Sequence, residues 1–503
     1  MDPPHPFIHE IKLTQWQKIR GVVLGVVLLP LRILLCALCF LLMWPVARLR
    51  FAGVSEEERS RPVSGWRLWL LHPVMRTLSR VAFVFLSFHW LKVKGRRADN
   101  KEAPVLVVAP HSGFMDMMVL PATELATVVS RSENSGLPVI GALLEFNQAV
   151  LVSRKDPQSR KNAVSQLNER LTSNGYWPQM LMFPEGTTTN GKALIKFKPG
   201  AFLAGVPVQP VLLRYPNKLD TVRWTFKGTT WLECLWHTAT QPNTNCTVEF
   251  LPVYKPSEEE KSNPALYADN VQKLMAKALD VPATDYVLEG PVPVSKLGGL
   301  SLPFDSPARK TLSLLRKNNF TWSDVETALS RMMYRCRAQG QGSKVDADEL
   351  VSLLELKDRQ TALNICELYS KDETVDLRQV YVSMAAVSGS VPFKTLLHTA
   401  FTLYDDGKGS LSAEELSGLM GALLGIPQHN TSELYSATCR HDRVTEDDLL
   451  RVLTTHPTYQ RLTNEYLQPE EAGSHLPMTN GHSVNNNKSV VNGNGSLHSK
   501  KSD

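Results

Sequence analysis

The stretch Val105-Leu106-Val107-Val108-Ala109-Pro110-His111-Ser112-Gly113-Phe114-Met115-Asp116 sets the reading of this chain. Its first five residues form a short, mostly β-branched apolar run of strand texture, closed by a proline that cannot donate to a sheet ladder. A helix-like stretch, MMVLPATEL, follows at 117–125. Similar runs recur downstream: AVLVS (149–153), MLMF (180–183), VPVQPVLL (206–213) and TVEFLPV (247–253). Strands alternating with helices predict an α/β domain on a central mixed sheet, placed at residues 101–300.

The turn after the first strand carries chemistry. His111 leaves the strand end and Asp116 stands at a helix start, so the two can meet across the bend. The carboxylate would accept from one ring nitrogen and aim the other at substrate. Such a general-base pair speeds proton removal from an attacking hydroxyl by about 10²- to 10⁴-fold, and an imidazole of pKa ~6.5 suits neutral pH. The plain alternative is a loop histidine beside an N-capping aspartate.

A second strand end favours the catalytic reading. MLMF runs into Phe183-Pro184-Glu185-Gly186-Thr187-Thr188-Thr189-Asn190, followed by Lys192, Lys196 and Lys198. Strand ends are where α/β domains place their sites; a glycine lets backbone approach a ligand, Thr187 can donate to a phosphate or glyceryl oxygen, and the lysines supply charge for anions. The plain alternative here is a solvated turn after a buried strand. Gly186 to Ala193 also approaches a phosphate-binding loop, but Ala193 lacks the hydroxyl that would hold magnesium and Pro199-Gly200 interrupts the helix that should follow. Nucleotide hydrolysis is set aside on those grounds, and a serine hydrolase because no G-x-S-x-G occurs.

Toward the N-terminus, Gly21 to Trp44 reads GVVLGVVLLPLRILLCALCFLLMW, whose only charge is Arg32. About 20 apolar residues are enough to cross a bilayer. A membrane anchor is therefore predicted within residues 1–100, either one helix or, where Pro30 and Arg32 break it, a re-entrant hairpin. The run is far longer than the apolar region of a cleaved signal peptide. Basic residues flank both ends, Lys12, Lys18 and Arg20 before and Arg48 and Arg50 after, so charge does not set an orientation. VAFVFLSFHWL (81–91) is too short to span and reads as an interfacial element or a buried helix.

A length of 503 residues suggests about three domains. With 43% hydrophobic and 21% charged residues, wholesale disorder and a many-span transporter are both excluded. A net charge of +6 suits an anionic membrane surface or phosphate-bearing substrates and is too mild to indicate nucleic acid. The seven cysteines are scattered and give no disulfide framework; Cys36 and Cys39 make a C-x-x-C inside the apolar run, where one helical turn of spacing accounts for them.

Beyond residue 301 the chain becomes helical. Four short turns recur around the apolar anchors Val345, Val375, Leu411 and Val444, spaced 30, 36 and 33 residues apart. They predict an all-α, EF-hand-like region at 301–467. The calcium chemistry is poor. Ala338, Gly340 and Gly342 occupy ligand positions in the first loop, and Gln379 ends the second where a glutamate belongs. The third leaves Asp405, Asp406 and Glu415 as weak calcium candidates on a loop one residue short, with Lys408 at a ligand position. From Gln468 the chain is rich in Asn, Gly, Ser and Lys, too polar to bury a core, so 468–503 is expected to be disordered.

Together, His111 to Asp116, GALLEFNQAVLVSR (141–154), FPEGT (183–187) and VPVQPV (206–211) resemble, in order and spacing, the four acyltransferase blocks of glycerolipid-synthesising enzymes. With the basic-flanked anchor, FKPGAF (197–202), RYPNKLDT (214–221) and the EF-hand-like tail, nearly the whole chain resembles the lysophosphatidylcholine acyltransferase family. The resemblance implies that His111 activates the free hydroxyl of a lysophospholipid, that Asp116 orients it, and that acyl-CoA is the donor. No metal, cofactor or covalent enzyme intermediate is then required. It also implies substrate-binding roles for Arg154, Glu185, Gly186 and Thr187, to which the lysine-rich segment adds Lys198. Arg154 is the natural phosphate partner, because a guanidinium makes paired charge-assisted bonds. Thr188 stands where many relatives that acylate lysophosphatidic acid carry an arginine, which fits a larger headgroup.

The closing Lys500-Lys501-Ser502-Asp503 is similar to a dilysine retrieval signal, which implies the endoplasmic reticulum membrane, with the Golgi as a second location. The expected activity is acyl transfer from acyl-CoA to lysophosphatidylcholine or lysophosphatidylethanolamine, with acyl-CoA, lysophospholipid and the bilayer as partners and no nucleic acid. Two rivals stand beside it: an acyltransferase for 1-acylglycerol-3-phosphate, and a non-enzymatic membrane-tethered calcium sensor or scaffold.

Overall fold

The apolar runs become one seven-stranded mixed sheet in a computed structural model that describes residues 5–153, 156–289, 292–338, 344–370, 374–439 and 443–468. Its strands are β1 (Leu91–Lys94), β2 (Val105–Ala109), β3 (Thr127–Arg131), β4 (Val150–Val152), β5 (Met180–Met182), β6 (Val208–Arg214) and β7 (Cys246–Phe250). They lie in the order β1-β7-β6-β2-β5-β3-β4, every neighbouring pair parallel except β6 with β7. Val105 of β2 pairs with Val208 on one side and Met180 on the other, so the strand that ends at His111 is central.

Both faces of the sheet are covered. Val105, Val107 and Ala109 pack with residues of the helices Pro157–Leu171 and Pro264–Leu279, while Leu106 and Val108 pack with Phe88, Met115 and Met118. Burial on both faces is why these strands read as continuous apolar runs. β1 and β3 left no such signal. β1 is an edge strand with Lys92 and Lys94 exposed, and β3 is only partly buried.

The apolar N-terminal run is a single helix, α1 (Gln15–Phe51). Thr14 caps it, accepting from the Gln17 amide while the Gln17 side chain bonds back to the Thr14 amide. The hairpin expectation is corrected here: Pro30 and Pro45 lie inside the helix without reversing it. Arg32, the other expected breaker, donates through NH1 to the carbonyls of Ala239 (2.5 Å) and Gln241 (2.6 Å) and so has its charge met by the globular body. A second helix, α2 (His72–Phe85), packs along α1. Residues 81–85 therefore end a helix, Phe88 is fully buried, and Leu91 opens β1.

After α3 (Pro138–Phe146), α4 (Pro157–Leu171), α5 (Trp231–Ala239) and α6 (Pro264–Leu279), a three-stranded antiparallel sheet spans Tyr286–Glu289, Val292–Leu297 and Leu300–Pro303. Its last strand places Leu300 and Leu302 in the same core as the helices that follow. In that helical part the four anchors are buried and pair two by two: Val345 with Val375, and Leu411 with Val444, each in an antiparallel bridge. Gly340, Gly342 and the polar tail with its terminal lysines lie outside the described residues.

Candidate active site

β2 ends at Ala109, and the chain turns through Pro110 so that His111 and Asp116 face each other, as the spacing predicts. His111 Nδ1 lies 2.8 Å from Asp116 Oδ2. The imidazole is 20% exposed and the carboxylate fully buried, so one member of the pair reaches the surface and the other does not. Burying a carboxylate is costly unless its oxygens are satisfied. Here Oδ2 also accepts from the amides of Ser112 (2.5 Å) and Gly113 (3.0 Å), and Oδ1 accepts from the Tyr215 hydroxyl (2.6 Å). Asp116 is thus held from four directions. With its Nδ1 proton shared with Asp116, the ring has Nε2 left as an acceptor. Phe183 stacks on the imidazole at 4.2 Å between centroids, 24° from parallel, which fixes the ring plane.

Tyr215 comes from the start of the segment after β6. That segment enters the sequence reading only through the resemblance, and nothing in its local pattern marks the tyrosine. Burial, and then the negative charge of Asp116, push its phenol well above the usual range, so it stays a donor.

Glu185 sits behind the pair. It is buried, its Oε1 accepts from the His111 amide at 2.8 Å, and Oε2 is 3.1 Å from the Thr189 hydroxyl; the Thr189 amide in turn donates to the His111 carbonyl at 2.7 Å. Glu185 therefore ties the β5 end to the β2 end through backbone. Burial pushes its carboxyl up to about 8, the nearby charge of Asp116 adds to the rise, and the bonds from His111 and Thr189 and the charge of Arg223 oppose it. Gly186 adopts φ +65°, a left-handed conformation that favours glycine, and the Lys198 side chain lies across it. Lys198 itself is exposed, and its amide donates to the Pro184 carbonyl at 2.8 Å. Thr187 is half-buried in the same turn.

The sequence reading overlooked Arg223. The loop after β6 returns to the site, where the Trp224 amide donates to the Ser112 carbonyl at 2.8 Å. The Arg223 guanidinium lies over Gly191, steered by an ion pair from its Nε to Asp220. Its NH1 is buried without a hydrogen-bond partner among the described residues. A signal for it was within reach, since Arg223 stands two residues beyond the quoted RYPNKLDT and three beyond its Asp220. Arg154 lies outside the described residues. The segment before it, 141–153, lies at the far sheet edge, where α3 helps to line a cavity of about 530 Å³ with Arg48 and Arg59.

The third loop of the helical part is filled from within. Arg443, one residue before the anchor Val444, donates to the Ser410 carbonyl (2.5 Å), Asp406 Oδ1 (3.2 Å) and Glu415 Oε2 (3.0 Å), while Lys408 pairs with the other Asp406 oxygen. Asp405 is turned to the loop's own amides of Lys408 and Gly409. The three calcium candidates therefore face a guanidinium, an ammonium and backbone, and no cluster of three or more His, Cys, Asp or Glu side chains suited to a metal occurs among the described residues. The donor set does not fit a divalent cation in this arrangement.

Comparison with known proteins bears on the same residues. A family model described as Acyltransferase matches residues 91–214, which contain His111, Asp116 and Glu185. The chain is 43% identical over 485 residues to "Lysophospholipid acyltransferase LPCAT4" of Xenopus tropicalis, covering 94% of this chain and 92% of that one. It is 37% identical over 467 residues to "Lysophosphatidylcholine acyltransferase 2" of Mus musculus, covering 92% and 85%. It is 37% identical over 479 residues to "Lysophosphatidylcholine acyltransferase 1" of Homo sapiens, covering 93% and 88%. Likeness on this scale favours an enzyme over a tethered scaffold. With such identity sustained along almost its whole length, this chain belongs to the lysophospholipid acyltransferase family.

Proposed function

We propose that this protein transfers a fatty acyl group from acyl-CoA to the free hydroxyl of a lysophospholipid, lysophosphatidylcholine or lysophosphatidylethanolamine, at the His111–Asp116 pair. The observation that carries this reading is the split burial of that pair: a satisfied, inaccessible carboxylate holding a partly exposed imidazole at 2.8 Å. His111 Nε2 takes the hydroxyl proton as the oxygen attacks the thioester carbonyl. The tetrahedral adduct collapses with cleavage of the C–S bond, and the proton on His111 passes to the departing CoA sulfur. A general base of this kind contributes about 10²- to 10⁴-fold. Asp116 stabilises the imidazolium, Tyr215 and the Ser112 and Gly113 amides hold Asp116, and Glu185 fixes the backbone of His111.

Anion binding falls to Arg223 and Lys198, whose cations flank the Glu185 turn, with Thr187 as a donor and Arg154 as a further phosphate partner. The domain division at residues 100, 300 and 467 belongs to the same reading. So do the EF-hand-like origin of the C-terminal helices, supported by the paired anchors, and residence in the endoplasmic reticulum membrane or the Golgi. The bilayer is the natural setting for α1, which is long and apolar enough to cross one, and both substrates carry long chains that partition there. The deciding experiment is an acylation assay on membranes holding the full chain, with oleoyl-CoA and a panel of lysolipids. Acylation of the choline and ethanolamine acceptors above lysophosphatidic acid is expected; the reverse order would transfer the assignment to the 1-acylglycerol-3-phosphate class.

A further inference from the structure

Arg48 and Arg50 stand two residues apart in the last turn of α1, and the fold treats them differently. Arg48 is exposed and pairs with Glu145 at 3.2 Å, whereas Arg50 is turned inward and only 5% exposed. The Arg50 guanidinium lies 4.1 Å from the centroid of the Phe146 ring at the end of α3, its Nε is buried without a hydrogen-bond partner, and no carboxylate pairs with it among the described residues. Burying an unpaired charge is costly, and stacking on an aromatic face offsets only part of that. The other buried side-chain polar atoms without partners among the described residues fall in two places. Ser112 Oγ, Asp220 Oδ1 and Arg223 NH1 surround the active site, where a substrate would meet them; Arg67 Nε and His72 Nδ1 lie, with Arg50, where the end of α1 meets the start of α2. Orphaned groups of this kind mark places where something else completes the bonding.

Arg50 and His72 line one cavity of about 570 Å³ at the other end of the sheet from the reaction. Thr127, the first residue of β3, and Gln179, which precedes β5, belong to its wall, whereas His111 follows the last residues of β2. The five residues of a strand such as β2, about 17 Å, separate the two ends. The other charges in the wall are satisfied: Arg96 pairs with Glu102 at 2.6 Å, Arg97 with Glu124 at 2.7 Å, and Asp99 accepts from the amides of Lys101 and Glu102. His72 adds a direction. Its Nε2 donates to the Glu124 carbonyl at 2.8 Å, and burial, opposed by that bond and reinforced by the charge of Arg50, holds the imidazole below its ordinary value. Nδ1 is then a neutral acceptor in need of a donor.

We propose that this cavity is a second ligand site, separate from the acylation centre, and that it binds a phosphate monoester, with the oxyanion on the Arg50 guanidinium and the remaining P–OH on His72 Nδ1. The pairing selects among anions. A guanidinium makes paired charge-assisted bonds to phosphate. A monoester loses its second proton near a pKa of about 6 and retains it where an acceptor shares it, whereas a phosphodiester or sulfate has no such proton to give at pH 7 and leaves Nδ1 unpaired. Val63, Leu68 and Tyr176 in the same wall leave the rest of the space to an organic substituent. Because Arg50 belongs to α1, His72 to α2 and Phe146 to α3, occupancy ties these helices together at the base of the sheet and stabilises the fold. The inference stands apart from the acylation reading.

The test follows thermal unfolding of the full chain in mild detergent at pH 7 while inorganic phosphate is titrated into the millimolar range, ionic strength being held constant with chloride. A ligand bound only by the folded state raises the midpoint as it saturates. The rise is expected in the parent and in Arg223→Ala, and should be lost in Arg50→Met, through an affinity at least about tenfold weaker. Arg50→Met keeps an apolar stem over Phe146, and its midpoint without phosphate reports that it folds. A second comparison needs no variant: sulfate and glycerophosphocholine, a diester, should bind the parent at least about tenfold more weakly than phosphate, because neither can donate to His72. sn-Glycerol 3-phosphate against short-chain dihexanoyl phosphatidic acid then tells a soluble monoester from a lipid headgroup by which of the two binds more tightly. A parent midpoint indifferent to phosphate overturns the inference, and so does sulfate equal to phosphate. A rise that persists in Arg50→Met and disappears in Arg223→Ala also overturns it, since the anion then sits at the reaction centre, and leaves the proposed function intact. Absent acylation with the phosphate effect unchanged counts against the proposed function alone.

Discussion

Glu185→Gln isolates what the buried carboxyl behind His111 does. The glutamate accepts from the His111 amide through Oε1 and meets the Thr189 hydroxyl through Oε2, and an amide can reproduce both contacts, donating where a protonated acid would. Burial places the folded-state value at about 8, against 4.5 for an ordinary glutamate. Between those two values the unfolded chain has released a proton that the folded chain retains, so stability is unaffected below the lower value and falls as pH rises toward the upper one. At about 1.4 kcal/mol per pH unit, the cost to the folded state is about 3 kcal/mol at pH 7 and ~5 kcal/mol above pH 8. Glu185→Gln removes it. The variant should match the parent at pH 4.5 and exceed it at pH 8, by several degrees in the midpoint of thermal unfolding followed by intrinsic fluorescence in mild detergent. Parallel curves for the two proteins from pH 4.5 to 8 would refute the argument, because they would mean that the carboxyl ionises in the fold as it does in water. Acylation at pH 7 should survive, since Glu185 touches the backbone of His111 and not its ring.

Other expectations are as direct. His111→Ala should lower acylation at least about 100-fold with vesicle binding unchanged, and Asp116→Asn, which keeps the bonds from Ser112 and Gly113 but removes the charge, should lose a comparable factor in kcat with little change in KM. Arg223→Ala should raise KM for lysolipid by about 10- to 100-fold, the usual size for loss of a charge-assisted phosphate contact; an unchanged KM would return Arg223 to a structural role. Arg443→Ala removes the cation shared by Asp406, Ser410 and Glu415. It should reduce stability by about 1–3 kcal/mol, with calcium restoring part of the loss, whereas the parent should show no calcium-dependent shift in its unfolding midpoint at millimolar levels.

Much of this protein is legible along the chain. β2 and β5 announce themselves because both faces of the sheet are covered, which leaves unbroken apolar runs. The His111–Asp116 pair is legible because five residues across a strand-end bend bring the two side chains into reach with no help from elsewhere. The four loop anchors are legible because burial of one residue per loop repeats at a nearly constant interval. β1 and β3 are not legible, since an edge strand and a half-covered one carry no such pattern.

Only the tertiary structure decides what requires distant segments to meet. Tyr215 reaches Asp116 across 99 residues of sequence, Arg223 joins the site through a loop bond to Ser112, and Arg443 fills a loop that begins almost forty residues earlier. α1 states the division most plainly. Its sequence fixes that it is apolar on every side, because hydropathy is a property of each residue. Whether it crosses a membrane or lies along one depends on which side is taken by α2, α3 and α5, and that is a property of packing alone.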